Sequence, residues 1–152
     1  MGLKVKVVDM FCGVGGLTYG LNKSGLQVVA GYDIDPTCRY AYEANNKCKL
    51  ILKDIRELTG KDIEERYDKG AVKVMVGCPP CQPFSMANPK RVDNKCNDYS
   101  EDCNLLLEFG RLIKEVRPEI IAMENVPEMK KTRYSKSFSK RWRKKGTMCT
   151  IR

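Results

Sequence analysis

The residues with the clearest chemical potential lie in the segment 77–85, which reads GCPPCQPFS. Each of its three prolines fixes φ and removes a backbone donor, so the segment forms neither helix nor continued strand and predicts a stiff loop. The Cys81 thiol, on this rigid turn beside Gln82, is a candidate nucleophile. The spacing of Cys78 and Cys81 also fits a C-x-x-C redox or metal pair, and spacing alone leaves both interpretations open.

A nucleophilic cysteine must be ionised when it attacks. An unperturbed thiol has a pKa of about 8.5, so only about 3% of it is thiolate at neutral pH. The chain has no histidine to act as a base. Cys81 therefore needs backbone amides of the loop, or a cation from elsewhere, to promote its ionisation.

A second candidate group is the carboxylate of Glu124. It follows an apolar run, and Asn125, Val126 and Pro127 come directly after it. If the apolar run is a strand of the same sheet as the run before Cys81, both side chains lie at one sheet edge. The alternative is an ordinary surface carboxylate at a strand end.

A glycine-rich turn, MFCGVGG at residues 10–16, is the third candidate. Glycines let a ligand approach backbone amides at a helix start, but a dinucleotide fingerprint also needs glycine at position 18, which is Thr18. Asp9 would repel a pyrophosphate and favour a cationic ligand, and Asp33 follows the next strand, where an acid can hold ribose hydroxyls. These features favour S-adenosylmethionine over NAD. A tight turn without a ligand is the alternative.

The hydrophobic pattern predicts the elements that position these groups. Predicted strands cover residues 4–9, 27–32, 50–52, 71–76 and 119–123. Predicted helices cover residues 17–24, 36–45, 59–66 and 104–116. This alternation is typical of an α/β, doubly wound, mostly parallel sheet, for which we expect five or six strands and the order 3-2-1-4-5. The glycine turn, Asp33, Asp54, Cys81 and Glu124 should then share the carboxyl edge.

Composition restricts the class of protein. The length of 152 residues suits one domain with a real core. No apolar run approaches about 18 residues and no signal peptide opens the chain, so we expect a cytoplasmic protein without a membrane partner. The eight cysteines are scattered through the predicted elements. We interpret them as mostly free thiols in a reducing compartment.

The net charge of +9 is concentrated at one end of the chain. Residues 130–152 carry ten lysines and arginines and no acid, which leaves 18 basic and 19 acidic residues in 1–129. The segment 130–152 has three interpretations: a basic arm with stacking groups Tyr134, Phe138 and Trp142, a sixth helix, or off-frame sequence after a truncation. The absence of balancing acids favours the third. We therefore divide the chain into a body, 1–129, and a basic segment of uncertain structure, 130–152.

Three segments together resemble the DNA (cytosine-5) methyltransferase family in order and spacing: DMFCGVGG at 9–16, GCPPCQPFS at 77–85, and ENV at 124–126. The resemblance covers about residues 4–129. It implies a Rossmann-like fold and transfer of a methyl group from S-adenosylmethionine to carbon 5 of cytosine in double-stranded DNA, of restriction-modification type and nucleoid-associated. The family's glutamine-arginine motif, target-recognition region and final helix are not found, so we expect a truncated enzyme or half of a split one.

The resemblance also implies roles for single residues. Cys81 would add to carbon 6 of a flipped-out cytosine, and Glu124 would contact its ring nitrogen 3 and exocyclic amine. Within the cofactor set, Asp33 and Ile34 would hold the ribose and adenine, Asp54 and Ile55 the adenine edge, and Leu105 the far wall. The implied cofactor-binding set is Asp9, Phe11, Gly13, Gly15, Gly16, Asp33, Ile34, Asp54, Ile55, Pro80 and Leu105. Cys78 would be a bystander, and no metal is expected.

Two alternatives of other kinds stay open. One is a remnant without activity that binds S-adenosylmethionine or nucleic acid. The other is a thiol redox or metal module built on Cys78 and Cys81. A split enzyme would need a second polypeptide that carries the missing motifs.

Overall fold

The computed structural model describes residues 2–80, 101–125 and 148–151. The strands are β1 (Val5–Met10), β2 (Gln27–Asp33), β3 (Leu50–Leu52), β4 (Val72–Gly77), β5 (Ile120–Met123) and β6 (Met148–Ile151). The helices are α1 (Gly16–Lys23), α2 (Arg39–Asn45), α3 (Gly60–Glu64) and α4 (Glu101–Val116). Short 3₁₀ turns cover Pro36–Cys38 and Ile55–Glu57.

The six strands form one sheet in the order β3-β2-β1-β4-β5-β6. Every neighbouring pair is parallel. The predicted α/β class and the order 3-2-1-4-5 are therefore confirmed. The six strands agree with the expected five or six. The position of the sixth strand, β6, was not predicted, since none of the three interpretations of residues 130–152 included a strand. The proposed boundary at residue 129 lies outside the described residues.

Both faces of the sheet are covered by helices, as a parallel sheet requires. The consecutive residues Val7 and Val8 on β1 point to opposite faces and are both fully buried. Val8 belongs to a core cluster that includes the α4 residue Phe109, and Val7 belongs to a separate cluster packed against α1 through Leu17. Burial on both sides explains why the strands read as apolar runs without alternation.

Helix boundaries follow local capping. Asp35 accepts a hydrogen bond from the Thr37 amide and so caps the 3₁₀ turn that precedes α2. Thr59 and Asp62 form a capping box at the start of α3, which is shorter than the predicted helix 59–66. The amphipathic pattern predicted α4 correctly, although the helix begins three residues before the predicted start at residue 104.

Candidate active site

A cavity of about 300 Å³ opens at the carboxyl edge of the sheet. Its walls come from the ends of β1, β2 and β4, from the segment after β3, and from α4. It is lined by Met10, Phe11, Tyr32, Asp33, Ile34, Lys53, Asp54, Ile55, Arg56, Leu58, Cys78, Pro80 and Leu105. Open α/β sheets bind ligands at this edge, because the connections after neighbouring strands run there to helices on opposite faces of the sheet and leave a crevice between them.

The glycine-rich turn enters this cavity through Phe11. Phe11 has a φ of 58°, a left-handed conformation that is uncommon for a bulky residue. Its ring packs edge to face on Phe109, with centroids 6.2 Å apart. Gly13 and Gly15, at φ values of 51° and 88°, complete the turn into α1. The turn therefore holds an aromatic ring in the cavity wall at the cost of local backbone strain.

Asp33 joins the end of β2 to the glycine turn. The Gly13 amide donates to its Oδ2 at 2.8 Å, and the Asp35 amide donates to its Oδ1 at 3.0 Å. Each carboxylate oxygen retains further acceptor capacity. Asp33 is thus oriented by two backbone donors and can accept hydrogen bonds from hydroxyl groups of a ligand.

The segment after β3 is fastened to α4 by Arg111. Its Nη2 donates to the carbonyl oxygens of Ile55 at 3.2 Å and Leu58 at 2.9 Å. Glu108 and Glu115 hold the same guanidinium at 2.6 Å and 2.9 Å. Arg111 therefore fixes the wall of the cavity that Ile55 and Leu58 contribute.

Asp9 does not line the cavity and is fully buried beneath α1. The Thr18 hydroxyl donates to its Oδ2 at 2.6 Å and lies 3.2 Å from the Tyr42 hydroxyl. Burial, with a smaller contribution from the charge of Asp33, raises the pKa of Asp9 to about 7 against the opposing Thr18 hydrogen bond. Asp9 thus stabilises the glycine-rich turn from the protein interior, through its hydrogen bond with Thr18.

The ends of β4 and β5 are joined at the same edge. The Glu124 amide donates to the Gly77 carbonyl at 3.1 Å, and the buried Asn125 side chain donates to the Pro79 carbonyl at 2.9 Å. Glu124 itself is exposed. Burial, with smaller contributions from the charges of Asp9 and Glu124 and from a hydrogen bond with Glu124, raises the pKa of the Cys78 thiol to about 12. Cys78 is therefore a neutral thiol in the cavity wall.

Of the predicted cofactor residues, Phe11, Asp33, Ile34, Asp54, Ile55, Pro80 and Leu105 line the cavity. Asp9, Gly13, Gly15 and Gly16 form or support the adjacent turn. Glu124 lies at the same edge, directly after β5. Cys81 lies outside the described residues, and its predicted role stays a prediction.

Sequence reasoning missed several lining residues, among them the charged residue Arg56 and the thiol of Cys78. A signal for each was present. Arg56 lies two residues after Asp54, close enough for a local ion pair, and Cys78 lies on the proline-rich loop itself.

Comparison with known proteins agrees with this architecture. The Dnmt2 methyltransferase of S. pombe has a crystal structure that superposes with a TM-score of 0.67 at 24% identity, over 93% of this chain and 40% of that one. The likeness shows that the chain has the Rossmann-like methyltransferase fold.

The sequence comparison is more specific. The model of the family described as C-5 cytosine-specific DNA methylase matches residues 5–144. The chain belongs to this family.

Two type II enzymes are among its relatives. The type II methylase M.HgiDII of Herpetosiphon aurantiacus is 49% identical over 125 residues, which are 82% of this chain and 33% of that protein. The type II methyltransferase M.FnuDI of Fusobacterium nucleatum is 32% identical over 125 residues, with the same coverage of both chains. The chain thus spans about a third of the length of these curated relatives.

Proposed function

We propose that this chain is the methyl-donor-binding and nucleophile-bearing part of a DNA (cytosine-5) methyltransferase of restriction-modification type. The observation that carries the proposal is the single cavity at the carboxyl edge, which seven of the predicted cofactor residues line together. These residues come from separate strand ends and from α4.

The cavity suits the adenosine part of S-adenosylmethionine. Ile34 is 62% exposed beside it, an apolar surface that a flat adenine ring would cover. Asp33, oriented by two amides, offers acceptors to ribose hydroxyls. We assign Phe11, Ile55, Pro80 and Leu105 to the walls. When bound, S-adenosylmethionine supplies an electrophilic methyl group on a sulfonium.

The proposed reaction assigns distinct tasks to Cys81 and Glu124. The Cys81 thiolate bonds to carbon 6 of cytosine, and the ring electrons shift so that carbon 5 can take the methyl group. Loss of the proton from carbon 5 then restores the ring and expels the thiolate. Glu124 binds the ring at nitrogen 3 and the exocyclic amine and stabilises the adduct.

The thiol redox alternative receives less support. A working dithiol needs an accessible thiolate, and burial raises the pKa of Cys78, the first cysteine of the pair, to about 12. The described ranges contain no group of three or more metal-binding side chains, but they do not include Cys81. No helix in those ranges is long and apolar enough to cross a membrane.

Calorimetric titration with S-adenosylhomocysteine tests the proposed cavity. We expect binding by the unmodified chain, and about a tenfold or greater loss with Asp33→Ala, since a hydrogen bond to a charged group contributes about 1.5–3 kcal/mol. Glu65→Ala, which removes an exposed carboxylate outside the cavity, serves as the matched control and should bind normally. Equal affinity for both variants would contradict the proposal.

A further inference from the structure

Arg56 makes an unusually complete ion pair with Asp54 at the rim of the cavity. Its Nε lies 3.0 Å from both carboxylate oxygens of Asp54, and its Nη2 lies 2.7 Å from Oδ2. The backbone amide of Arg56 also donates to Oδ1 at 2.9 Å. Both side chains line the cavity. One residue therefore supplies all four of these contacts to the carboxylate.

These contacts use most of the acceptor capacity of Asp54. An ionised carboxylate has about four lone-pair positions in its plane, and three N–H groups of Arg56 approach them, with the Nε–H shared between both oxygens. The Asp54 side chain is 16% exposed and that of Arg56 is 54% exposed, so the carboxylate is the more enclosed partner. The same hydrogen bonds lower the pKa of Asp54. Another donor that approaches Asp54 therefore competes with the guanidinium for the same two oxygens.

We infer that Arg56 sets the affinity of the cavity by competing with the adenine amine of the methyl donor for the Asp54 carboxylate. The inference rests on the proposed function, in which Asp54 binds the adenine edge. The Arg56 side chain is more than half exposed, so water can replace the contacts with Asp54 that it loses when a ligand enters. The amide of Arg56 stays on Oδ1 and keeps Asp54 oriented during the exchange.

The competition has a characteristic dependence on salt. Exposed ion pairs contribute modestly and weaken as ionic strength rises, because dissolved ions screen the two charges. Salt should therefore release Asp54 and strengthen ligand binding to the unmodified chain. A residue that merely formed part of the ligand's wall would show no such increase.

The test is calorimetric titration of the full chain with S-adenosylhomocysteine at low and at moderate sodium chloride. We expect Arg56→Gln to bind about two- to fivefold more tightly than the unmodified chain at low salt, the range that exposed ion pairs allow. The difference should shrink as salt is added. Arg39→Gln, which removes an exposed positive charge outside the cavity, is the matched control and should behave as the unmodified chain does.

Two results would overturn the inference, and they are distinguishable. If the unmodified chain binds and Arg56→Gln binds equally or more weakly at low salt, Arg56 does not compete and the proposed cofactor site stands. If neither chain binds although NMR titration shows that Arg56→Gln raises the Asp54 pKa, the ion pair exists but the proposed cofactor site fails, and the inference fails with it.

Discussion

Thr18 shows how one side chain distinguishes this glycine turn from a dinucleotide-binding turn. In the dinucleotide fingerprint the third glycine permits close packing of the helix on the strand. Here the Thr18 hydroxyl fills that place, is fully buried and bonds to both Asp9 and Tyr42. The departure from the fingerprint is therefore a structural feature of this turn, since a glycine at position 18 would leave Asp9 without its donor.

The buried carboxyl group of Asp9 predicts that stability depends on pH. Its folded-state pKa of about 7 lies above the ordinary value of 3.8, so the folded chain retains a proton that the unfolded chain loses within this window. Stability should therefore be greatest near or below pH 4 as far as Asp9 is concerned, and should fall as pH rises to about 7. Between pH 5 and pH 8 we expect a loss of about 2–3 kcal/mol from this group, at 1.36 kcal/mol per pKa unit.

Urea unfolding at pH 5, 6, 7 and 8 checks this expectation. Asp9→Asn removes the titrating group at similar volume and should flatten the decline. Asp68→Asn, which changes a largely exposed carboxylate in a surface ion pair, should keep it. An unchanged slope in Asp9→Asn would show that another group causes the dependence.

At the scale of elements, helix α2 is seated on the sheet by the ring of Tyr42. A Cβ atom at Gly31 on β2 would lie 2.2 Å from the Tyr42 hydroxyl oxygen and 2.5 Å from its Cζ. A Cβ atom at Gly15 would lie 2.7 Å from the same ring. Two glycines from different elements thus form the space that the ring occupies, and Tyr42 is fully buried there. The ring helps fix the glycine turn relative to the end of β2.

Gly31→Ala should therefore destabilise the fold. Inserting a methyl group into a filled core usually costs about 1–3 kcal/mol, because side chains must leave their preferred rotamers. Gly20→Ala in α1 is the matched control: a Cβ atom there meets no heavy atom within 4 Å, and alanine favours a helix over glycine by about 1 kcal/mol. Denaturant midpoints should move in opposite directions for the two variants. A common shift would mean that the space around Tyr42 is not filled.

At the scale of the whole molecule, sequence-specific methylation depends on how DNA is recognised. The curated relatives extend over about three times the matched length. Base-edge contacts give specific DNA binding an advantage of about 4–10 kcal/mol over non-specific binding. We expect the basic segment 130–152 to contribute mainly phosphate attraction, which carries no sequence information and weakens with salt.

We expect these 152 residues alone to transfer labelled methyl groups to duplex DNA weakly and without sequence preference. Cys81→Ser should abolish any transfer, because the nucleophile is lost, whereas Cys78→Gly should reduce it less. Equal loss in both variants would favour the dithiol interpretation. Efficient, sequence-specific transfer by the unmodified chain would show that target recognition resides within these residues.

The amino-acid sequence was sufficient to predict the order of the first five strands and the protein family. Unbroken apolar runs, separated by glycine and proline, predict strands that are buried on both faces of a parallel sheet. Parallel strands bring Asp33, Asp54, Pro80 and Glu124 to one edge. Segments 9–16, 77–85 and 124–126 carried the resemblance, which the family model confirms. These features are local in sequence, so neighbouring residues were sufficient to predict them.

The tertiary structure decided the surroundings of each functional group. The pairing of Asp9 with Thr18, the placement of Arg56 against Asp54 and the position of Cys78 in the cavity wall were not predicted. The position of the sixth strand, β6, was not predicted either. Burial, hydrogen bonding and pairing of β6 with β5 depend on contacts between distant segments or on the rotamer that a side chain adopts. Residue types and spacing predicted which groups meet at this edge, but only their packing determined which of them are buried and which are paired.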